Sequence, residues 1–151
     1  MNKKGFTLIE LLVVIAIIGL LSTIAVVALN SARAKSRDAK RVADVKQMQT
    51  ALELAFAETN GYPVAASGTV LGAAATKVLC DNASTAVFQA ATTGCTTVFM
   101  PLIPANPLPN GTDYTYSGAA NDYTITFTLE GKVGSLNLGL VNATPSGMMN
   151  P

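Results

Sequence analysis

The pattern of hydrophobic and polar residues changes twice along the 151-residue chain. Residues 6–29 form an almost uninterrupted apolar run that contains a single carboxylate, Glu10. In residues 30–61, apolar residues recur every three or four positions, which is the spacing of one helix face. Beyond residue 110, apolar and polar residues alternate as they do in a half-buried strand. The chain is therefore predicted to begin with a long helix and to end in a sheet.

The amphipathic part of the predicted helix has one apolar stripe. It consists of Val42, Val45, Met48, Leu52, Ala55 and Phe56. The charged residues Arg41, Asp44, Lys46 and Glu53 lie off this stripe. No proline interrupts residues 6–62, so we predict one continuous helix of about 54 residues. A left-handed cap is expected at Asn60-Gly61, and the proline at position 63 forbids continuation.

Alternation in residues 111–151 predicts an antiparallel sheet of three or four strands. The residues expected on its apolar face are Tyr114, Tyr116, Tyr123, Ile125, Phe127, Leu129, Leu136, Leu138 and Leu140. Residues 62–110 are interpreted as a connecting loop region, because the four prolines between positions 101 and 109 suit neither a helix nor a central strand. The apolar face of the sheet and the apolar stripe of the helix can bury each other. The predicted fold class is therefore α+β.

Glu10 is the candidate functional residue of the apolar run. A lone charge in a membrane helix costs roughly 2.5–3.5 kcal/mol on insertion scales and by default marks function. Cleavage of the chain before Phe6 would create an ammonium group about one helical turn away, so the carboxylate could pair with its own terminus or with that of a neighbouring subunit. The alternative is that Glu10 snorkels to the headgroup boundary and has no specific role.

The apolar run has three other interpretations. A secretory signal peptide has an apolar core of about 7–15 residues, shorter than this run, although Ala32-Arg33-Ala34 mimics its cleavage site. A plain single-pass anchor fits the length, because 24 residues reach about 36 Å across a hydrocarbon core of about 30 Å. That interpretation leaves Glu10 and the glycine before Phe6 unexplained. A buried core helix is not expected to be apolar on all sides for six turns.

The N-terminal sequence Lys3-Lys4-Gly5-Phe6-Thr7-Leu8-Ile9-Glu10-Leu11-Leu12 resembles that of type IV prepilins and type II secretion pseudopilins. The resemblance implies that a prepilin peptidase removes leader residues 1–5 by cutting between Gly5 and Phe6, and that Phe6 is then N-methylated. It also implies that Glu10 of an incoming subunit recognises the terminus of the preceding one and sets the register of a helical filament. The implied fold is a ladle, in which the long helix packs on the small C-terminal sheet.

Cys80 and Cys95 are the two cysteines of the chain. In an exported domain, a disulfide between them is expected, and closing this 16-residue loop would contribute on the order of 3 kcal/mol. Two buried free thiols are the alternative.

The basic residues conflict with the orientation that the resemblance implies. Six of the ten follow the apolar run, namely Arg33, Lys35, Arg37, Lys40, Arg41 and Lys46. Only Lys3 and Lys4 precede it, so the positive-inside rule favours a cytoplasmic C-terminus. The leader and the cysteines favour a C-terminus outside, and we adopt that orientation. The basic cluster is expected to be a solvated helix face, with contact to anionic lipid or to acidic faces of neighbouring subunits as alternatives.

The composition argues against an enzyme. The chain has no His, no cluster of Cys, Asp or Glu at metal-ligand spacing and no glycine-rich phosphate loop, so no catalytic residue, cofactor or metal is expected.

We expect a structural subunit of an extracellular type IV pilus-like filament, single-pass in the cytoplasmic membrane before assembly and extracellular or periplasmic afterwards. Its expected partners are further subunits, the prepilin peptidase, the inner-membrane assembly machinery and the lipid bilayer, with no specific nucleic acid. One alternative is a type II secretion or DNA-uptake pseudopilin, and another is a membrane-tethered binding domain that does not polymerise.

Overall fold

The structure is a computed structural model that describes residues 5–151. Except for Gly5, the predicted leader peptide lies outside the described residues. The chain divides into two compact units, Met1–Ala34 and Lys35–Pro151. Within the described residues it forms one helix and eight strands: α1 (Leu8–Thr59), β1 (Ala65–Val70), β2 (Val78–Asp81), β3 (Ala86–Gln89), β4 (Val98–Met100), β5 (Thr115–Ala119), β6 (Asp122–Leu129), β7 (Gly139–Thr144) and β8 (Gly147–Met149).

Helix α1 is 52 residues long and ends where the sequence predicts. Its last backbone bond runs from the Asn60 N–H to the Phe56 carbonyl, 2.8 Å away. Asn60 then adopts a left-handed conformation with φ of 54°, which asparagine tolerates better than most residues. The Tyr62 N–H donates instead to the Ala120 carbonyl, so the chain leaves the helix and joins the sheet region at once.

The second unit contains two antiparallel sheets. The larger has the strand order β1-β5-β6-β7-β8, and the smaller has the order β3-β2-β4. Along β6, Tyr123, Ile125, Phe127 and Leu129 are buried while the intervening residues are half-buried or exposed, as the alternation predicts. They share one core with the predicted stripe of α1. The α+β fold class is confirmed.

The region predicted as a connecting loop contains more structure than expected. Strand β1 joins the edge of the larger sheet beside β5, which raises the strand count from the predicted three or four to five. Strands β2, β3 and β4, three or four residues each, form the smaller sheet. These strands are short, and all four residues of β2 are buried, so they lack the alternation on which the prediction depended.

The strand predicted from Leu136, Leu138 and Leu140 was wrong in position, and the predicted face was wrong for Leu138 and Leu140, whereas Leu136 is buried as expected. Strand β7 begins at Gly139, and its buried residues are Val141 and Ala143, whereas Leu138 and Leu140 are exposed. Because side chains alternate along a strand, the observed pairing of Phe127 with Val141 determines which set points inward.

Arg41 and Asp44 correct a second expectation, because both are buried although they lie off the apolar stripe. Arg41 is fully buried and belongs to the cluster that was expected to be a solvated face. Its guanidinium donates to Asp38 Oδ1 at 2.6 Å and to Glu130 Oε1 at 2.7 Å. It also donates to Asn106 Oδ1 and to the carbonyls of residues 107 and 110. A single side chain of α1 therefore binds both the proline-rich segment and the residue that follows β6.

The carboxylates around Arg41 are also held by backbone and by a second arginine. Asp38 accepts hydrogen bonds from the Glu130 and Gly131 N–H groups at 2.9 and 2.8 Å. Arg37 donates to both oxygens of Glu130. Hydrogen bonding by Arg37 and by Asn110 and Arg41 holds the pKa of Glu130 well below its ordinary value. We call Arg37, Asp38, Arg41 and Glu130 the ionic cluster.

Two tyrosine hydroxyls of the core, those of Tyr114 and Tyr116, have defined acceptors. Tyr114 donates to Asp44 Oδ2 at 3.1 Å, and Tyr116 donates to the Pro63 carbonyl at 2.9 Å. Burial raises the pKa of both tyrosines and also that of Asp44. A disulfide joins Cys80 in β2 to Cys95 in the loop before β4.

Candidate assembly site at the N-terminus

The candidate site begins where α1 begins, at Thr7. The Thr7 carbonyl accepts the first helical hydrogen bond, from the Leu11 N–H at 3.3 Å, so Thr7 is the N-cap residue. The Glu10 N–H donates to Thr7 Oγ1 at 3.3 Å, and the Thr7 N–H donates to Glu10 Oε2 at 2.8 Å. This reciprocal pair is a capping box, which satisfies two backbone donors that the helix start leaves unpaired. Glu10 therefore has a structural partner within its own chain.

Sequence reasoning missed this role of Glu10. The signal was present as Thr7-Leu8-Ile9-Glu10, the S/T-x-x-E pattern that precedes an apolar run at a helix start. Thr7 Oγ1 also donates to Glu10 Oε2 at 2.7 Å. Among the described residues, the bonds accepted by this carboxylate all end on Oε2. Oε1 thus keeps its capacity to accept from a second cationic or donor group.

The surface around Glu10 is apolar and exposed. Phe6, Ile9, Val13 and Val14 line an open groove together with the carboxylate. Every residue from Gly5 to Arg33 is exposed in the single chain. In the described part of the chain, one helix is long and apolar enough to cross a membrane, judged by length and composition alone. An exposed apolar surface of this size requires lipid or protein to cover it.

The few polar residues of the apolar run bond to their own helix. Ser22 Oγ donates to the Ile18 carbonyl at 2.7 Å, and Thr23 Oγ1 donates to the Leu20 carbonyl at 2.8 Å. Their hydroxyls are therefore satisfied without water, as lipid or a packed core demands. The helix is also regular through Gly19.

The predicted site residues fall in separate places. Gly5, Phe6 and Glu10 lie together at the start of α1, with Gly5 and Phe6 exposed and outside regular structure. Cys80 and Cys95 lie in the second unit. Within residues 5–151, no group of three or more His, Cys, Asp or Glu side chains could hold a metal ion.

Comparison with known proteins gives a matching family model and several similar proteins. A family model described as the prokaryotic N-terminal methylation motif matches residues 1–26. The type II secretion system core protein G of Aeromonas hydrophila is 35% identical over 67 residues, which are 44% of this chain and 47% of that protein. A fimbrial protein of Pseudomonas aeruginosa is 40% identical over 67 residues, 44% of this chain and 42% of that protein. The type IV major fimbrial protein FimA of Dichelobacter nodosus is 45% identical over 51 residues, 34% of this chain and 33% of that protein.

The matched region covers less than half of each of these relatives. No solved structure matches the chain significantly. The matched methylation motif contains Gly5, Phe6 and Glu10, and the secretion and fimbrial proteins are similar over a stretch of 51 to 67 residues. The chain therefore carries the prokaryotic N-terminal methylation motif at the start of one long apolar helix, and over less than half of its length it is similar to type IV fimbrial proteins and to type II secretion core protein G.

Proposed function

We propose that the chain is a structural subunit of a type IV pilus-like filament. Residues 6–29 anchor it in the cytoplasmic membrane before assembly and lie in the filament afterwards, and residues 62–151 lie outside the membrane. The observation that carries the proposal is the exposed apolar helix surface with Glu10 as its carboxylate, one turn after Gly5-Phe6. Lipid covers this surface before assembly, and neighbouring subunits cover it in the filament.

In the proposed assembly step, a prepilin peptidase cuts between Gly5 and Phe6, and the new amine of Phe6 is methylated. Glu10 of the incoming subunit then pairs with the amine of the subunit before it. The capping box holds the Glu10 carboxylate through Oε2, so its position is fixed before the partner arrives. A fixed acceptor loses less side-chain entropy on pairing, which favours recognition.

The disulfide supports an outside location for the C-terminal region. Disulfides persist in oxidising compartments and are rare in the cytosol. Cys80 and Cys95 are joined, although the basic residues after the apolar run favour the opposite orientation by the positive-inside rule.

A type II secretion pseudopilin is the second candidate function. It is favoured by the similarity to core protein G of Aeromonas hydrophila, which spans the same share of this chain as the similarity to the Pseudomonas fimbrial protein. Filaments sheared from the cell surface would identify a pilus. A pseudopilus would be identified if the parent cells carry no surface filament and deletion of the gene abolishes protein secretion.

The test separates recognition of a neighbour from helix capping. Glu10→Ala removes both roles. Thr7→Ala removes the hydroxyl of the cap, at about 1 kcal/mol of helix stability, but keeps the carboxylate and its bond from the backbone N–H of residue 7. We expect Glu10→Ala to insert in the membrane and to be processed, but to yield few filaments, because the amine of the preceding subunit would be buried without its partner at a cost of roughly 3–5 kcal/mol. Thr7→Ala should retain most filaments.

Mass spectrometry of both variants should show a methylated Phe6 as the mature terminus, which confirms that processing is intact. Equal filament loss in Thr7→Ala and Glu10→Ala would mean that the carboxylate serves only the helix start. Normal filament yield from Glu10→Ala would remove the proposed recognition step.

A further inference from the structure

The dipeptide Asn110-Gly111 follows the proline-rich segment and is exposed to solvent. Gly111 has a φ of 94°, a left-handed conformation that favours glycine. A Cβ added at Gly111 would lie 2.8 Å from Arg41 Nη2, so the guanidinium packs directly against the glycine backbone. The peptide bond of this dipeptide therefore lies between a buried cation and water.

Two donors converge on the Asn110 carbonyl oxygen. Arg41 Nη2 donates to it, and Asn106 Nδ2 donates to it at 3.2 Å. The bond from the guanidinium is charge-assisted, and such bonds are about twice as strong as neutral ones. A cation and an amide aimed at one oxygen stabilise negative charge that develops on that oxygen.

The remaining groups of the dipeptide are the reactants of an intramolecular ring closure. None of the hydrogen bonds among residues 5–151 uses the Gly111 N–H. The Asn110 side-chain amide donates from Nδ2 to Glu130 Oε2 at 2.8 Å, at the border of the ionic cluster. Since both residues are exposed, water has access to the backbone N–H and to the side-chain amide.

The contacts on the carbonyl favour the reactive form of the peptide. When the Gly111 N–H loses its proton, resonance delocalises the negative charge onto the Asn110 carbonyl oxygen. That oxygen is the atom to which Arg41 and Asn106 donate. The deprotonated nitrogen is the nucleophile that attacks the side-chain amide. The attack is intramolecular, because the two reactants lie in adjacent residues.

We propose that Asn110-Gly111 is a self-modification site at which the chain deamidates without an enzyme. The Gly111 nitrogen forms a bond to Asn110 Cγ, the bond between Cγ and Nδ2 breaks, and ammonia leaves with the proton that the nitrogen lost. The product is a succinimide ring. Water then adds to one of the two ring carbonyls and opens the ring. The final product is aspartate, or isoaspartate where the backbone continues through Cγ.

The modification alters the ionic cluster. Aspartate at position 110 lacks the Nδ2 donor to Glu130 and adds a second carboxylate beside it. Isoaspartate also adds a methylene to the backbone at the carbonyl that Arg41 binds. Each product therefore weakens the attachment of the proline-rich segment to the residue that follows β6.

Asn60-Gly61 is a second copy of the same dipeptide and provides an internal control. Asn60 is exposed, like Asn110. No hydrogen bond among residues 5–151 ends on the Asn60 carbonyl oxygen. The two sites therefore share their reacting groups and differ in the donors at the carbonyl. The unfolded chain, in which neither site has these donors, gives the ratio of rates that the local sequences alone produce.

The test incubates the full chain in detergent micelles, in mildly alkaline buffer made with oxygen-18 water. Mass spectrometry of peptides follows the oxygen incorporated at Asn60 and at Asn110 over time. In the folded chain, we expect modification of Asn110 to be at least about fivefold faster than that of Asn60, because two donors stabilise its carbonyl oxygen. In urea with the disulfide reduced, the two rates should become similar. A folded chain that modifies Asn110 no faster than Asn60 would overturn the proposal, as would the same preference in urea.

A variant tests the donors directly. Asn106→Asp keeps the oxygen that accepts from Arg41 Nε and replaces the donor to the Asn110 carbonyl with a negative charge. We expect it to slow modification at Asn110 by at least about threefold and to leave the Asn60 rate unchanged. Asn82→Asp makes the same change at an exposed turn and should leave both rates unchanged.

Tyrosine near-ultraviolet circular dichroism establishes that Asn106→Asp is folded. An unchanged Asn110 rate in the folded variant would overturn the role assigned to the carbonyl contacts. The comparison of the two dipeptides in the unaltered chain decides the proposal whether or not this variant folds.

Discussion

The two halves of α1 differ in which side chains are exposed and which are buried. From Leu8 to Arg33, apolar side chains that water disfavours are all exposed. From Asp38 to Asp44, three charged side chains that water favours are buried, namely Asp38, Arg41 and Asp44. The second half is complete within one chain, because its buried charges have partners. The first half leaves an apolar surface that lipid or another protein must cover.

The two halves of α1 also differ in which residues make specific polar contacts. In the first half, one carboxylate and a capping box interrupt an otherwise apolar surface, and this carboxylate is the residue proposed to determine register. In the second half, the Arg41 guanidinium donates to five acceptors on three segments of the chain, and these bonds fix its position. A buried charge has few acceptable positions, so the ionic cluster fixes how the proline-rich segment and the end of β6 lie against the helix.

The largest predicted effect on stability comes from replacing Arg41 in the second half of α1. Arg41→Met leaves Asp38 and Glu130 without their buried partner, and we expect it to lower the free energy of unfolding by about 3–5 kcal/mol. The matched change in the first half is Ile17→Ala, at a side chain that is exposed in the single chain. It should alter unfolding by less than about 0.5 kcal/mol. Urea unfolding of the full chain in detergent, followed by tyrosine near-ultraviolet circular dichroism, measures both.

A loss below about 1 kcal/mol in Arg41→Met would mean that the ionic cluster contributes little beyond the hydrophobic core. In that case the buried charges would not distinguish the second half of the helix from the first.

The next prediction concerns the disulfide, which constrains the second unit alone. Replacing Cys80 and Cys95 with Ser should lower the free energy of unfolding by about 3 kcal/mol, because the unfolded chain regains the freedom of a 16-residue loop. Reduction of the unaltered chain should cause the same loss. The helical far-ultraviolet signal of residues 8–34 in detergent should persist, and a fall of that signal at low urea would contradict the separation of the two regions.

The outcome at individual residues shows how far sequence reasoning reaches. The alternation of β6 and the cap at Asn60 were predicted because their causes are local: a period of two and a tolerated left-handed conformation. The burial of Arg41 was not predicted, since its partners Asn106 and Glu130 are 65 and 89 residues away in sequence. The face of β7 was wrong for a related reason, because its pairing with β6 decides which residues point inward.

At the candidate site, the motif was predicted from the sequence. The capping box was not predicted, although its sequence pattern was present. Thr7 and Glu10 are three residues apart, so their contact is as local as a helix cap. What a single chain does not contain is the partner of the exposed apolar surface. The roles of Gly5, Phe6 and Glu10 in cleavage, methylation and register therefore stay predictions.

A pair of glycines gives a smaller and sharper contrast. A Cβ added at Gly118 would lie 2.6 Å from the Pro63 carbonyl oxygen and would overlap the Tyr116 side chain that donates to it. We expect Gly118→Ala to cost about 1–3 kcal/mol through overpacking. A Cβ at Gly19 would meet nothing within 4 Å, so Gly19→Ala should leave unfolding of the second unit unchanged.

Filament yield distinguishes the two glycine variants further. If neighbouring subunits approach closely at Gly19, Gly19→Ala should assemble less well although its monomer is intact. Equal stability of the two variants in urea would contradict the close contact described at Gly118.

The smallest predicted effect is the loss of folding stability at acid pH that arises from Glu130. Its pKa is lowered in the folded chain, first by hydrogen bonds from Arg37, from an ordinary value of 4.5. Below about pH 4.5 the unfolded chain therefore binds a proton at this residue that the folded chain does not, and stability falls as the pH falls. At neutral pH, Glu130→Gln should cost about 1 kcal/mol, because the side chain keeps some contact with solvent. Below pH 4.5 its stability should fall less steeply than that of the unaltered chain.

Asp44 provides the control for this pH dependence, because its shift has the opposite sign. Burial raises the pKa of Asp44, so the folded chain binds a proton there more tightly than the unfolded chain does. Its contribution to stability therefore increases as the pH falls and partly offsets that of Glu130. Asp44→Asn removes the offset, and we expect a steeper loss of stability below pH 4.5 in this variant. Identical acid slopes in Glu130→Gln and the unaltered chain would show that the ionic cluster holds no proton linkage, and the buried charges of the second half would then act through packing and hydrogen-bond geometry alone.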